Sequence, residues 1–406
     1  GQWAQVLALQ PWQQRFCRPD PEEGPSEVTD LLADALRYQW LYGYPGVPDG
    51  EEQLTHGFFK YVASMQALTA RQLLRLNPSA SSILDPFCGS GTVLIEAARA
   101  GRAATGSDAS PLAAFVARHH TDVEGVSLDE LRAQADVVAP ANELELGWND
   151  LRSRLGALPE GSVTSALWFC LLVALQRAGD GDAAYALSGS KSFVVSQSSE
   201  DPPQELAGPM FVGTVQLYAA QLAALRASMP FPECLVRTGL GDARLLKLSQ
   251  PVDAVITSPP YPGVYNYANA ALLTQSRLAG ALGASLELSQ FFGEAEDPAR
   301  LTSNEIGSLA QREKLGRSIP ADEFRETWQK QQEEWLQAVW RNLVPGGTAT
   351  LVIGDGSDLD NLASTKAAAE AVGFLVVGSA TIRMASGMPR RFASKGMRRT
   401  EHVLHL

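Results

Sequence analysis

The stretch Ser82-Ile83-Leu84-Asp85-Pro86-Phe87-Cys88-Gly89-Ser90-Gly91-Thr92 reads as a strand, a glycine-rich turn and the start of a helix. The run at 82–85 stops at Pro86, which cannot donate to a strand ladder. A helical pattern follows at 93–100 and is closed by Gly101. A second strand is expected at 103–106, leading to Asp108. Pro111 then opens a helix at the first-turn position that proline tolerates. Strand, helix, strand, helix at this spacing begins a parallel α/β sheet. The glycines carry a second meaning. Lacking Cβ atoms, they let a ligand approach the backbone beside a helix N-terminus with N–H groups to offer. A tight turn would use the same glycines, so this stretch speaks to the fold before it speaks to a site.

Working outward, the rhythm breaks at residues 121–232. Helical patterns at 128–138, 163–176 and 212–227 mark a helical insertion between strands two and three. The strand pattern resumes at 234–237, before Gly241-Asp242-Ala243-Arg244, and again at 252–256. The last of these runs stops at Thr257-Ser258-Pro259-Pro260-Tyr261. Two prolines fix φ and remove two donors, leaving a rigid lip with a hydroxyl, carbonyls and an aromatic ring. A helix is expected at 266–282, irregular chain at 284–320 and a long amphipathic helix at 322–343. That helix carries Trp328, Trp335 and Trp340, whose seven- and five-residue spacing is not expected to keep them on one face, and it ends before Pro345-Gly346-Gly347. Strands are expected at 348–354, 374–377 and 401–406, with a helix at 358–372. Two late strands with no helix between them form a terminal antiparallel hairpin. Residues 1–55 read as an N-terminal extension with a helix at 30–40.

The 406 residues are 45% hydrophobic and 19% charged, a globular composition with room for one large or two smaller domains. A net charge of -12 excludes a uniformly basic nucleic-acid binder but not a local basic face. The four cysteines, Cys17, Cys88, Cys170 and Cys234, are scattered, so neither a disulfide framework nor a metal site is indicated. The apolar run at 166–175 is too short to span a bilayer and reads as a core helix, and no membrane partner is expected. No signal peptide is visible. The chain opens on Gly1 rather than Met, and a trimmed chain is expected, one that would have lost any targeting segment. An intracellular location is expected, with nucleus, organelle and bacterial cytoplasm left open. The oligomeric state is also open, a homodimer included.

Three acids close three successive strands: Asp85, Asp108 and Asp242. Open α/β sheets bind ligands at that end. Asp85 is suited to a cationic amino group, Asp108 to a ribose diol and Asp242 to an adenine amino group. Such an acidic crevice fits a cationic nucleoside better than a dinucleotide.

These motifs together, with residues 56–70 ahead of them, resemble the S-adenosylmethionine-dependent amino-methyltransferases of nucleic acids. The resemblance covers most of 56–120 and 233–406. It implies a Rossmann-like α/β core, a seven-stranded, mostly parallel methyltransferase sheet with the terminal hairpin, plus the insertion. It implies S-adenosylmethionine held by Ser64, Asp85, Phe87, Gly89, Gly91, Thr92, Asp108, Ala109, Asp242 and Ala243, with His56 nearby. Ser258, Pro259, Pro260 and Tyr261 become the catalytic lip. Ser258 and the Pro259 carbonyl would accept protons of the target amine, and Tyr261 would stack on a base flipped from the stack. Serine at the first position is associated in this family with the N4 amine of cytosine in duplex DNA. Adenine N6, an RNA base amine and a catalytically silent partner subunit are the other readings. Cys88 reads as a packing residue.

The segment Arg383, Arg390, Arg391, Lys395, Arg398 and Arg399 holds no acid between 383 and 399 and is expected to contact phosphates. Residues 284–320 are the candidate target-recognition loop. His119 and His120 read as cationic or capping groups at a helix end.

Overall fold

The computed structural model describes residues 20–41, 54–61, 64–122, 125–143, 145–179, 204, 207–230, 235–263, 305–307, 313–314, 317–318, 320–355, 359–383 and 400–406. Its centre is an eight-stranded sheet. The strands are β1 (Asp20–Glu23), β2 (Ser82–Asp85), β3 (Ala103–Asp108), β4 (Val236–Leu240), β5 (Val252–Thr257), β8 (Leu343–Gly354), β9 (Gly378–Arg383) and β10 (Thr400–His405). They lie in the order β1-β9-β10-β8-β5-β2-β3-β4. The run from β8 to β4 is parallel, and β10, β9 and β1 add antiparallel. The helices are α1 (Ser26–Leu41), α2 (Ala67–Leu74), α3 (Thr92–Arg99), α4 (Pro111–His120), α5 (Leu128–Val138), α6 (Trp148–Gly156), α7 (Ser162–Gly179), α8 (Ala207–Ser228), α9 (Ala321–Asn342) and α10 (Asn361–Val372). None of them is long and apolar enough to cross a membrane.

The central strands are buried on both faces, as a helix-covered sheet requires. Neighbouring residues go to opposite cores. Ile83, Ile256, Val352 and Val403 join α1, α2 and α3 on one side. Leu84, Val255, Leu351, Ile353 and Leu404 join α9 and α10 on the other. The parallel pairing of β2 with β5 is pinned at its lower end. The Asp253 carboxylate accepts hydrogen bonds from the backbone and hydroxyl groups of both Ser81 and Ser82, at 2.8–2.9 Å.

The insertion builds its own core. α5, α6, α7 and α8 close around Phe169 and Tyr218, with Phe58 and Phe59 inserted from the entry segment. The Tyr218 hydroxyl donates to the His119 carbonyl at 2.8 Å, joining that core to the end of α4.

Three readings need adjustment. The N-terminal segment supplies an edge strand, β1, antiparallel to β9. The strand expected at 374–377 lies instead at Gly378–Arg383. Phe374 is used to finish α10: its N–H and that of Gly373 both bond the Ala369 carbonyl, over a left-handed Gly373. Trp328 and Trp335, expected to diverge, are both fully buried in one core, since seven residues are two helical turns. Trp340 is half-exposed against Phe374. The described residues within 284–320 include Ile306 and Gly307, packed on α9, and a small hairpin of β6 (Glu313–Lys314) with β7 (Arg317–Ser318). The helix expected at 266–282 lies outside the described residues.

Candidate active site

The three acids stand where β2, β3 and β4 end, and each has its own set of partners. Asp85 is buried. Its Oδ1 accepts from the Thr257 hydroxyl at 2.6 Å and from the Phe87 N–H at 3.1 Å. Burial raises its pKa to about 7 against those two donors, and the Asp108 charge adds to the rise. Asp108 accepts from the Gly89 N–H at 3.0 Å through Oδ2 and from the Ser110 N–H at 2.9 Å through Oδ1. Burial raises its pKa too, against hydrogen bonds from the backbones of Ser110, Gly89 and Ala109. Asp242 follows β4 and is clamped by Arg244, whose Nε donates to Oδ1 at 2.9 Å and whose Nη2 donates to Oδ2 at 2.6 Å. The carboxylate offered to an adenine amino group is therefore already paired with a guanidinium. Ala243 beside it is buried in the α9 core.

The turn between β2 and α3 is shaped by its glycines. Gly89 and Gly91 have φ of +49° and +86°, the left-handed region that glycine enters freely. A Cβ on Gly91 would stand 3.2 Å from Ala117, so a side chain would push α4 away. Thr92 opens α3 and is buried, as is Cys88, in keeping with a packing role for the thiol. Ser64 reaches the turn and shares a 2.9 Å hydrogen bond with the Ser90 hydroxyl. The Phe87 ring meets the edge of Trp335 at 5.4 Å between centroids, so it packs toward α9.

His120 corrects an expectation. It is buried and neutral, not a cation at a helix end, and burial lowers its pKa to about 3. Its Nε2 accepts from the Phe59 N–H at 3.1 Å, so Nδ1 carries the proton and donates to the Ser90 carbonyl at 2.9 Å. The ring thus ties the glycine turn to the entry segment. His119, also buried, has its pKa lowered to about 3 by burial. His56 lies near enough to His120 to act on its charge, and its Nε2 is 2.9 Å from Glu96 Oε1.

The lip at 257–261 is gripped by β8. The Ser258 hydroxyl donates to the Val352 carbonyl at 3.0 Å. That commits its proton and leaves the oxygen as an acceptor. Pro259 is buried, and Pro260 and Tyr261 are half-buried. The Tyr261 ring lies against Gly354, where a Cβ would come within 2.4 Å of Cε2, and its hydroxyl donates to Glu401 Oε1 at 3.3 Å. Glu401 and Gly354 are two site residues that sequence reading missed. Arg383 ends β9, but its side chain lies outside the described residues, as do Arg390, Arg391, Lys395, Arg398 and Arg399.

A buried acid for a cation, a second acid at the next strand end and a glycine turn open to close approach define a crevice for S-adenosylmethionine. The donor set fits that group, and it lies at the strand ends of a mostly parallel α/β sheet extended by antiparallel strands. Residues 58–140, which carry the glycine turn and Asp108, match the family model of the RMKL-like methyltransferase domain. No curated protein matches the chain. Among solved structures, the chain is similar to TrmN from Thermus thermophilus at 14% identity and a TM-score of 0.32, covering 84% of this chain. It spans about half, 49%, of the TrmN chain. It is also similar to the rRNA methyltransferase aviRa from Streptomyces viridochromogenes at 10% identity and a TM-score of 0.33, covering 88% of this chain and 93% of that one.

Proposed function

We propose that this protein methylates the exocyclic amine of a nucleobase in a nucleic acid, with the N4 amine of cytosine in DNA as the first target to test. The observation that carries this reading is the state of Ser258. Its hydroxyl proton is committed to the Val352 carbonyl, which leaves the oxygen as an acceptor for an incoming amine. An exocyclic amine is conjugated to its ring and is a poor nucleophile. Accepting one of its protons aims the nitrogen lone pair and supports the positive charge that grows on it. Tyr261, beside Ser258, offers the flat apolar surface on which a base stacks. S-adenosylmethionine, when bound, supplies an electrophilic methyl group. Asp85 would hold its amino group, Asp108 its ribose and Asp242, through or beside Arg244, its adenine. The glycine turn would take the close approach of the amino-acid part. Cys88 is buried with its pKa raised well above the ordinary thiol value by burial, so no covalent attack on the base is assigned to it.

Target choice between DNA and RNA is read by one assay. The protein is incubated with methyl-labelled S-adenosylmethionine and, separately, with unmodified duplex DNA and with total RNA, and each product is digested to nucleosides for mass spectrometry. N4-methyldeoxycytidine is the expected product. N6-methyldeoxyadenosine, or a methylated base amine in RNA alone, would replace cytosine N4 while keeping the reaction class. Label found only on ring carbon or ribose would overturn the amine reading.

A further inference from the structure

β10 is antiparallel to β8 in a register that sets Glu401 directly opposite Gly354. Tyr261 meets both members of this cross-strand pair. Its ring lies against Gly354, which has no Cβ to displace it, and its hydroxyl donates to Glu401. The register is held from within the sheet. Val403 and Leu404 are fully buried on opposite faces. His402 Nδ1 is 2.7 Å from the Thr381 hydroxyl, and His405 Nδ1 is 2.8 Å from the Thr350 hydroxyl. The terminal hairpin therefore delivers a carboxylate to one residue of the lip, 140 positions away in sequence.

We infer that Glu401 is a positioning residue for the methyl-transfer reaction: it fixes the plane of Tyr261 against Gly354, so that the ring is preset to receive the target base. This rests on the lip being the base site. At 3.3 Å this is a long hydrogen bond, which orients the ring more than it stabilises the fold. With the ring already fixed, stacking does not spend rotamer entropy on ordering it. The effect should appear once a base is seated and not in cofactor binding.

The test compares Glu401→Ala, Glu401→Gln, Tyr261→Phe, Tyr261→Ala and the Tyr261→Phe/Glu401→Ala double variant. The readouts are kcat and KM on the nucleic acid that accepts label, the Kd for S-adenosylmethionine by calorimetry, and the melting temperature. Glu401→Ala and Tyr261→Phe should each lower kcat/KM about fivefold, the scale of one lost ordinary hydrogen bond. The double variant should be no worse than either single one, because both remove the same bond. Glu401→Gln, whose amide oxygen still accepts, should recover most of the loss. Cofactor Kd and melting temperature should not move. If Tyr261→Ala is impaired while Glu401→Ala and Tyr261→Phe run at the wild-type rate, the positioning role is overturned and the base site stands. If Tyr261→Ala itself transfers methyl at the wild-type rate, the base site falls and the inference with it.

Discussion

The Thr257 hydroxyl donates to Asp85 Oδ1 across 2.6 Å and so ties the last residue of β5 to the last residue of β2. These two strands carry the two halves of the proposed site, the lip after β5 and the glycine turn after β2. Their neighbouring positions in the sheet put the hydroxyl and the carboxylate in reach, and the bond makes one wall of the crevice from both.

This pairing sets a pH dependence for cofactor binding. Asp85, raised to about 7 by burial, holds its proton in mildly acidic solution. Protonated, it cannot pair with a cationic amino group. The affinity for S-adenosylmethionine should therefore weaken by about tenfold for each pH unit below the folded-state value and level off above it. Calorimetric titrations from pH 5.5 to 8.5 check this, and a flat profile would remove Asp85 from the cofactor site. The stability term has the opposite sense. A folded-state pKa above the unfolded 3.8 gives a contribution that is full below 3.8 and lost as pH rises through about 7.

Ser258→Ala removes an acceptor from the lip while leaving the backbone of β5 and β8 paired. The buried Val352 carbonyl loses the donor that the half-buried Ser258 supplies. The expected result is a fall in kcat of about 10- to 100-fold, the range for one lost stabilising contact to developing charge. The Kd for S-adenosylmethionine should stay within about twofold of wild type, since Ser258 is assigned to the amine and not to the cofactor. Single-turnover transfer with pre-bound cofactor separates the two effects. An unchanged chemical step would take Ser258 out of the mechanism.

The parts of this architecture that sequence reading reached are the ones with local chemistry. Asp85, Gly89 and Gly91 lie in one continuous strand-turn-helix, and the prolines after Thr257 punctuate the strand themselves. β1 was out of reach because Asp20-Pro21-Glu22-Glu23 has no apolar alternation. Its pairing is made by the backbone at a sheet edge, where proline is tolerated. The start of β9 was misplaced because Phe374 looks like a strand residue but closes a helix. The charge of His120 was misread because helix-end position was legible and burial was not. Glu401 and Gly354 become site residues only through antiparallel register, which long-range packing sets.

His120 gives a second pH signature, in stability. Its two hydrogen bonds need the neutral ring, and protonation would turn the Nε2 acceptor of the Phe59 N–H into a donor. Its folded pKa of about 3 lies below the unfolded 6.5, so its contribution is present above 6.5 and lost as pH falls toward 3. His120→Gln should make the fall of unfolding free energy between pH 6.5 and 4.5 shallower by about 1.4 kcal/mol per pH unit, the slope of one linked proton. Urea denaturation at several pH values measures it. A difference from wild type that does not vary with pH would mean that the folded ring titrates as it does in the unfolded chain.

The buried carboxylate of Glu96 on α3 should prove a stronger support than any one of its partners. It accepts from Arg71 Nε at 2.7 Å and Nη2 at 3.1 Å, and from Arg99 Nη1 at 2.6 Å, with His56 beside it. Burial pushes its pKa up, but His56 and Arg71 overcome this and hold it down at about 2. The group ties α2 and the entry segment to the helix that begins at the cofactor turn. Glu96→Gln keeps the shape but leaves two guanidinium groups facing a neutral amide, a change that costs about 3–5 kcal/mol when a buried pair is broken. Arg71→Ala removes a partner whose side chain is 34% exposed, so water replaces much of what is lost. That variant should cost about 1 kcal/mol or less. Equilibrium denaturation of the two variants gives the comparison. Equal losses would mean that Glu96 acts through Arg71 alone, whereas a much larger loss for Glu96→Gln identifies the carboxylate as the common anchor of all three contacts.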